Sequence, residues 1–119
     1  MAGSYAADGE RVVDGSPLKR AIIDAASAGD NEVVAAVTGR KIRVHSLYLV
    51  NGHTATQTVR FESGAGGTAL SGQMILGANG GLVLNDNEKG WFETAAGAAL
   101  NLELAGGTTV DGGLTYSEV

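Results

Sequence analysis

Apolar and polar residues alternate along much of this chain, and each alternating run predicts a β-strand with one buried face. The longest run covers residues 41–50 (KIRVHSLYLV), and further runs cover residues 56–63, 99–104 and 110–119. Shorter apolar runs lie between them, separated by turn signals every 8 to 12 residues. About eight short strands are therefore expected, as in a β-sandwich or barrel.

The alternation also predicts which side chains are buried. In residues 41–50, Ile42, Val44, Tyr48 and Val50 are expected to share one face. Leu47 and Leu49 lie on the other face near its end, so both faces are expected to be covered there. In residues 56–63, Val59 and Phe61 are expected inward, and Arg60 and Glu62 outward. The core residues predicted near the C-terminus are Leu100, Leu102, Leu104, Leu114 and Tyr116.

Turn residues define how these strands are joined. Asn51-Gly52 is the strongest hairpin signal in the chain, and Gly29-Asp30-Asn31 predicts another turn. Residues 18–28 (LKRAIIDAASA) fit a short helix or a strand, and we favour a strand because every later segment is strand-like. Pairing between runs this far apart in sequence favours Greek-key or jelly-roll connections over a simple meander.

The length and composition indicate a single domain with an N-terminal extension. The 119 residues suffice for one core, and 19 glycines against one proline fall mostly in turns. Residues 1–17 are small, polar and rich in turn signals, so we expect an arm that is flexible or ordered by a partner. The predicted architecture is an all-β single domain, a β-sandwich of jelly-roll or Greek-key type over residues 18–119.

Charge and cysteine content exclude several classes of function. The net charge of −5 argues against a nucleic-acid partner. Cysteine is absent, which removes disulfides, thiol nucleophiles and cysteine metal sites. No apolar stretch is long enough for a membrane helix and no signal peptide is visible, so we expect a soluble, unprocessed chain without a membrane partner.

Two segments match ligand-binding patterns only superficially. GAGGTA at residues 64–69 matches a dinucleotide fingerprint, but no helical run follows it, which favours a glycine-rich strand connection. Asp86, Glu88 and Glu93 could ligate Ca²⁺, but their spacing fails the EF-hand pattern. We therefore predict no cofactor and no metal.

Catalytic residues are not apparent either. His45 and His53 are the only histidines, and neither falls in a nucleophile–base motif. We predict that the protein is not an enzyme. Trp91, the single tryptophan, is expected to fill the core, with an exposed aromatic anchor for sugar stacking or an interface as the alternative.

Five of the eight basic residues lie near the starts of two predicted strands: Lys19, Arg20, Arg40, Lys41 and Arg43. If these strands are neighbours, the residues form a positive patch. This patch is either a solvated face neutralised by nearby Asp and Glu, or a docking surface for an acidic partner.

Four segments together resemble a group of small tailed-phage virion proteins: GRKIRV at 39–44, GWFETAAG at 90–97, ALNL at 99–102 and GLTY at 113–116. The resemblance covers roughly residues 20–119 and carries no active-site signature. It implies a β-sandwich or jelly-roll structural protein encoded among head and tail genes, some of which are capsid decoration (cement) proteins.

The resemblance implies a virion location on the capsid surface after synthesis in the host cytoplasm. The major capsid protein would be the partner, the five basic residues above would be candidate contacts, and a homo-oligomer, with a trimer favoured, would suit local three-fold positions. The alternatives are a tail or head-fibre adhesion module and, from another class, a carbohydrate-binding β-sandwich that uses Trp91 and Tyr48.

Overall fold

The structure, a computed structural model, describes residues 4–5, 11–13, 16–106 and 109–119. All regular structure in these residues is β-strand, and two antiparallel sheets pack as a compact single domain, which confirms the predicted sandwich. No helix in this part of the chain is long and apolar enough to cross a membrane.

Sheet 1 has the order β10-β6-β13-β4, with β11 also paired to β6. Its strands are β4 (Lys19–Ala25), β6 (Ile42–Asn51), β10 (Gly81–Leu84), β11 (Phe92–Glu93) and β13 (Val110–Glu118). The C-terminal strand β13 is thus central, between β6 and β4. Pairing of strands so distant in sequence is the connection pattern that the run spacing predicted.

Sheet 2 has the order β5-β12-β7-β8, with β9 also paired to β7. Its strands are β5 (Gly29–Val34), β7 (Gln57–Ser63), β8 (Thr68–Ala69), β9 (Met74–Leu76) and β12 (Leu100–Leu104). The turn predicted at residues 29–31 is displaced to residues 26–28, because residues 29–31 form the start of β5. Gly29 has a positive φ of 85°, which lets the chain turn sharply between β4 and β5.

The core lies between the two sheets. Leu100, Leu102 and Leu104 of β12 are fully or almost fully buried, as are Val59 and Phe61 of β7. Opposite them, sheet 1 contributes Ile23, Ile42, Val44, Leu47, Leu49 and Leu114. The predicted core residues of β12 and β13 are therefore confirmed, with Tyr116 partly buried against the cluster.

The predicted face of residues 41–50 is correct only for its first half. Thr115 of β13 is opposite Ser46, and the next residue, Tyr116, is opposite Val44, so His45 is the extra residue of a β-bulge. After the bulge the inward positions change parity. Leu47 and Leu49 are therefore buried, whereas Tyr48 and Val50 are exposed.

The predicted hairpin at Asn51-Gly52 is also wrong, because β6 and β7 belong to different sheets. Asn51 is buried, and its amide donates to the carbonyls of Ala55, Leu76 and Gly77. The segment is thus a crossover between sheets whose backbone is held by the Asn51 side chain.

The N-terminal segment contains three short strands: β1 (Ser4–Tyr5), β2 (Arg11–Val13) and β3 (Ser16–Pro17), which pair as an antiparallel ribbon. Ser16 Oγ donates to the carbonyl of Glu118 at 2.8 Å, which attaches β3 to the end of β13. The remaining arm positions, 1–3, 6–10 and 14–15, lie outside the described residues. The division into an arm (1–17) and a domain (18–119) stays a prediction.

Candidate functional site

The outer face of sheet 1 carries large apolar side chains. Across this face the register aligns Ile22 of β4, Gly113 of β13, Tyr48 of β6 and Val83 of β10. Ile22 is 83% exposed, Val83 70% and Tyr48 55%. Large exposed apolar patches are typical of interaction sites, so this face is a candidate docking surface.

Gly113 lies against the Tyr48 ring on this face. A Cβ at that position would lie 3.0 Å from the Tyr48 ring, so only glycine leaves the ring its present place across β13. The groove on this face has a volume of about 660 Å³ and is also lined by Arg20, Asp86 and the hydroxyls of Ser46 and Thr115. Those two hydroxyls hydrogen-bond each other at 2.6 Å.

The predicted basic residues converge at one end of sheet 1, but β13 separates their strands. Lys19 pairs with Glu118, and Glu93 accepts from both Lys41 (3.2 Å) and Arg43 (3.0 Å). Burial raises the pKa of Glu93, but the hydrogen bonds and charges of Lys41 and Arg43 outweigh it and lower that pKa below its usual value. Arg20 and Arg40 are exposed.

The outer face of sheet 2 is charged instead. Carboxylate oxygens of Asp30 (β5), Glu62 (β7) and Glu103 (β12) lie within 4.8 Å of one another. The Arg60 Nε lies 3.1 Å from Glu103 Oε1 and 3.5 Å from Glu62 Oε1. This cluster was not predicted from the sequence, because its members are distant along the chain and only the strand register brings them together.

Glu62 lies on the outer face of sheet 2, as predicted, but it is only 1% exposed. Its strand is covered on both sides, with Asn101 of β12 and Ala69 of β8 opposite it. Burial raises the pKa of Glu62, and the adjacent Glu103 carboxyl and the charge of Asp30 raise it further, against the opposing charge of Arg60.

His45 and Ser117 form the closest approach to a base–nucleophile pair. His45 Nε2 lies 2.8 Å from Ser117 Oγ, and His45 Nδ1 lies 2.9 Å from the carbonyl of Asn87. Because a carbonyl only accepts, Nδ1 carries the proton and Nε2 accepts from the hydroxyl. Both side chains are fully buried, so this pair holds the loop over the bulge and meets no substrate in this structure.

The two superficially matching segments are loops, as predicted. Gly64-Ala65-Gly66-Gly67 is a turn between β7 and β8, and the Gly66 N–H donates to Asp30 Oδ2 at 2.8 Å. Residues 85–90 form a loop over β6, where Asn87 N–H donates to the carbonyl of His45.

Trp91 is 45% exposed, so the prediction that it fills the core is wrong. It lies just before β11, at the edge of sheet 1, and its Nε1–H donates to the carbonyl of Asn85 at 2.8 Å. Phe92, the next residue, takes the place in the core, with its ring centroid 5.0 Å from that of Phe61. Adjacent side chains of an extended segment point in opposite directions, which is why only Phe92 packs against the core.

No protein-family model matches this chain, and no curated protein is significantly similar to it. The sites described above therefore carry the functional argument on their own geometry.

Proposed function

We propose that this protein is a non-enzymatic virion structural protein of a tailed phage, a capsid decoration protein that binds the outer surface of the head. The apolar outer face of sheet 1, which exposes Ile22, Tyr48 and Val83, carries the proposal. A decoration protein needs a stable fold and a docking surface and no chemistry of its own. The resemblance of residues 39–44, 90–97, 99–102 and 113–116 to small virion proteins supplies the kind of partner.

The composition of this face suits docking to another protein. Apolar side chains lie at its centre, and charged residues surround them, with Arg20 and Asp24 on β4 and Asp111 on β13. An apolar centre inside a polar rim is the usual anatomy of a protein–protein interface. Tyr48 is the best candidate for an anchor, because tyrosine side chains are over-represented among the residues that dominate binding energy.

In this proposal the partner is the major capsid protein, and the decoration protein is a homo-oligomer, with a trimer favoured for local three-fold positions. The basic residues Lys19, Arg20, Arg40, Lys41 and Arg43 would add contacts with an acidic capsid surface. The net charge of −5 is consistent with a partner that is neither nucleic acid nor membrane. The chain would be made in the host cytoplasm and function on the capsid.

The test is binding to expanded capsids of the phage that encodes the protein. We expect Ile22→Asp to weaken binding by about a hundredfold or more, because it places a charge within the apolar part of the interface. Ile75→Asp is the matched control, since Ile75 is 74% exposed on β9 of the other sheet. It should bind like the wild type, and circular dichroism should show both variants folded.

Two results would contradict the proposal. One is wild-type protein that neither binds expanded capsids nor changes their resistance to heat. The other is Ile22→Asp that binds as tightly as Ile75→Asp. A location on the tail or on a head fibre would be recognised by electron microscopy of labelled virions.

The exposure of Trp91 favours a second candidate, a carbohydrate-binding β-sandwich. An indole that is 45% exposed offers a stacking surface for a sugar ring. Titration with phage-receptor polysaccharides should then change the Trp91 fluorescence in a saturable way, and this change should be absent in Trp91→Ala examined through its tyrosine emission. No change in wild-type emission would remove this candidate.

A further inference from the structure

The carboxylate cluster on the outer face of sheet 2 contains a buried glutamate that has no role in the proposed docking. Glu62 is 1% exposed, and among the described residues neither of its carboxylate oxygens has a hydrogen-bond donor. A buried carboxylate without a donor is costly, and native structures rarely leave one in this state without a reason.

A second orphaned oxygen lies on the same face. Asn101 is directly opposite Glu62 in the register, is 4% exposed, and its Oδ1 has no donor within the described residues. Asn101 and Glu103 are two apart on β12, so both side chains project from the outer face. Both side chains thus present acceptor oxygens without a donor, and the Arg60 Nε on the same face makes no hydrogen bond to either of them.

Arg60 does not supply enough charge. Three carboxylates and one guanidinium sum to about −2 when all are ionised. The Arg60 Nε is closer to Glu103 (3.1 Å) than to Glu62 (3.5 Å), and it makes no well-aligned hydrogen bond. A divalent cation would neutralise the remaining charge and coordinate the orphaned oxygens directly.

We propose that Asp30, Glu62 and Glu103 bind one divalent cation, and that Ca²⁺ fits this site best. Their ligand atoms already lie within 4.8 Å of one another, a spread that small side-chain movements would close around an ion. All are hard oxygen ligands, and Ca²⁺ accepts six to eight of these in irregular geometry, whereas Mg²⁺ demands a near-ideal octahedron. Asp30 is exposed, which leaves room for water ligands on that side.

The site would join three strands and a turn. Asp30, Glu62 and Glu103 come from β5, β7 and β12, and the Gly66 N–H already holds Asp30 at 2.8 Å. Because the cation would bind the folded state alone, it would raise the free energy of unfolding of the protein by mass action. The proposal is independent of the docking face, which lies on the other sheet.

The experiment is calorimetric titration of the full chain with CaCl₂ after removal of metal by EDTA and dialysis. We expect one Ca²⁺ per chain, and a rise in Tm of about 5 °C or more when Ca²⁺ is about 100-fold above Kd. Mg²⁺ should bind more weakly.

Glu62→Gln keeps the shape of the side chain and removes its charge, so it should fold and lose the Ca²⁺-dependent rise in Tm. Asp30→Asn, at an exposed position, should weaken Ca²⁺ binding by about tenfold or more, and it tests the site even if Glu62→Gln does not fold. Glu88→Gln, in the loop at residues 85–90, and Asp111→Asn, on sheet 1, are matched controls and should bind Ca²⁺ as the wild type does.

The proposal is overturned if the wild type shows no saturable Ca²⁺ binding, or if Asp30→Asn and Glu62→Gln bind as tightly as the wild type. Loss of binding in Glu88→Gln alone would place the cation in the loop and would equally overturn it.

Discussion

The two outer faces of this sandwich share one core but differ in chemistry. The face of sheet 1 exposes apolar side chains around Ile22 and Tyr48, whereas the face of sheet 2 holds Asp30, Glu62 and Glu103 around a single arginine. Each face departs from an ordinary rule of protein structure: one leaves large apolar groups in water, and the other buries a carboxylate without a donor. Such departures are expected where a binding requirement has overridden stability.

The two faces therefore need different partners. An apolar surface is stabilised by covering it with another apolar surface, and a carboxylate cluster is stabilised by positive charge. A partner macromolecule suits sheet 1, and a cation suits sheet 2. The predictions below test whether the two faces are as separate as the geometry indicates.

The largest expected effect is the difference in stability loss between a core residue of β4 and its neighbour on the docking face. Ile22 and Ile23 are neighbours on β4, but Ile22 is 83% exposed and Ile23 only 1%. Ile23→Ala should lower the free energy of unfolding by about 3 kcal/mol, because it leaves a cavity between the sheets. Ile22→Ala should change it by less than about 0.5 kcal/mol. Urea denaturation of both variants measures the difference, and equal losses would mean that Ile22 is covered in the isolated protein.

A second pair of neighbours tests how glycine shapes the apolar face. A Cβ at Gly112 would lie 1.9 Å from the backbone oxygen of Tyr48, so Gly112→Ala must move β13 away from β6. We expect a loss of about 2 kcal/mol. At Gly113 the nearest atom belongs to the Tyr48 ring, at 3.0 Å, and the ring can rotate. Gly113→Ala should therefore cost less than about 1 kcal/mol.

Capsid binding gives a second readout for Gly113. Because Gly113→Ala displaces the Tyr48 ring, the loss in free energy of capsid binding should exceed the loss in free energy of unfolding. Thermal unfolding and capsid binding measured on the same preparations provide the two readouts. A Gly113→Ala variant with normal capsid binding would remove the groove from the proposed interface.

The pH dependence of stability should differ in sign between two glutamates, one from each sheet. The pKa of Glu62 is raised in the folded state, so its proton is bound more tightly there than in the unfolded chain. Its contribution is therefore most favourable below the usual glutamate pKa and is lost as the pH rises through the folded value. In EDTA, the free energy of unfolding of Glu62→Gln should exceed that of the wild type by about 1 kcal/mol at pH 7 and by almost nothing at pH 4.

Glu93 provides the matched comparison, because Lys41 and Arg43 lower its pKa. Its stabilisation is present above the usual glutamate pKa and is lost as the pH falls through the lowered value. Glu93→Gln should therefore lose stability at pH 7, by less than about 1 kcal/mol because its ion pairs are partly exposed, and should match the wild type at low pH. Denaturant unfolding from pH 3 to pH 8 measures the free energy of unfolding of each variant relative to the wild type. This difference should rise with pH for Glu62→Gln and fall for Glu93→Gln, and a change in the same direction for both would contradict the difference between the faces.

The fold was predictable wherever alternation was uninterrupted. Leu100, Leu102 and Leu104 were placed correctly, because β12 lies centrally in sheet 2 and has a regular ladder with β7 across all five residues. β6 was predicted correctly only up to His45, because a bulge is a property of the pair β6–β13 and leaves no mark in either strand alone. That single extra residue placed Tyr48 on the outer face, beside Ile22 and Val83.

The candidate sites were predictable to a smaller extent for the same reason. Asp30, Glu62 and Glu103 are ordinary polar positions of three separate strands, and only the registers of β12 with β5 and with β7 bring them together. Asn51 carried a hairpin signal, but its side chain instead holds a crossover between sheets, which depends on the tertiary position of β9. A local pattern indicates a preferred conformation but leaves the partners across strands and sheets undetermined.

The smallest expected effect concerns Trp91, at the edge of the apolar face. Its indole is 45% exposed and donates a single hydrogen bond to Asn85, so Trp91→Phe should cost about 0.5 to 1 kcal/mol. The same exposure predicts a red-shifted tryptophan emission that acrylamide quenches efficiently in the isolated protein.

Addition of expanded capsids then gives a final comparison. If the apolar face docks as proposed but its contact ends at Val83 and Asn85, acrylamide will quench Trp91 equally well with and without capsids. If Trp91 belongs to the interface, capsids will protect it, and Ile22→Asp will abolish that protection. Protection that persists in Ile22→Asp would show that the protein binds through the Trp91 edge rather than through the face around Ile22.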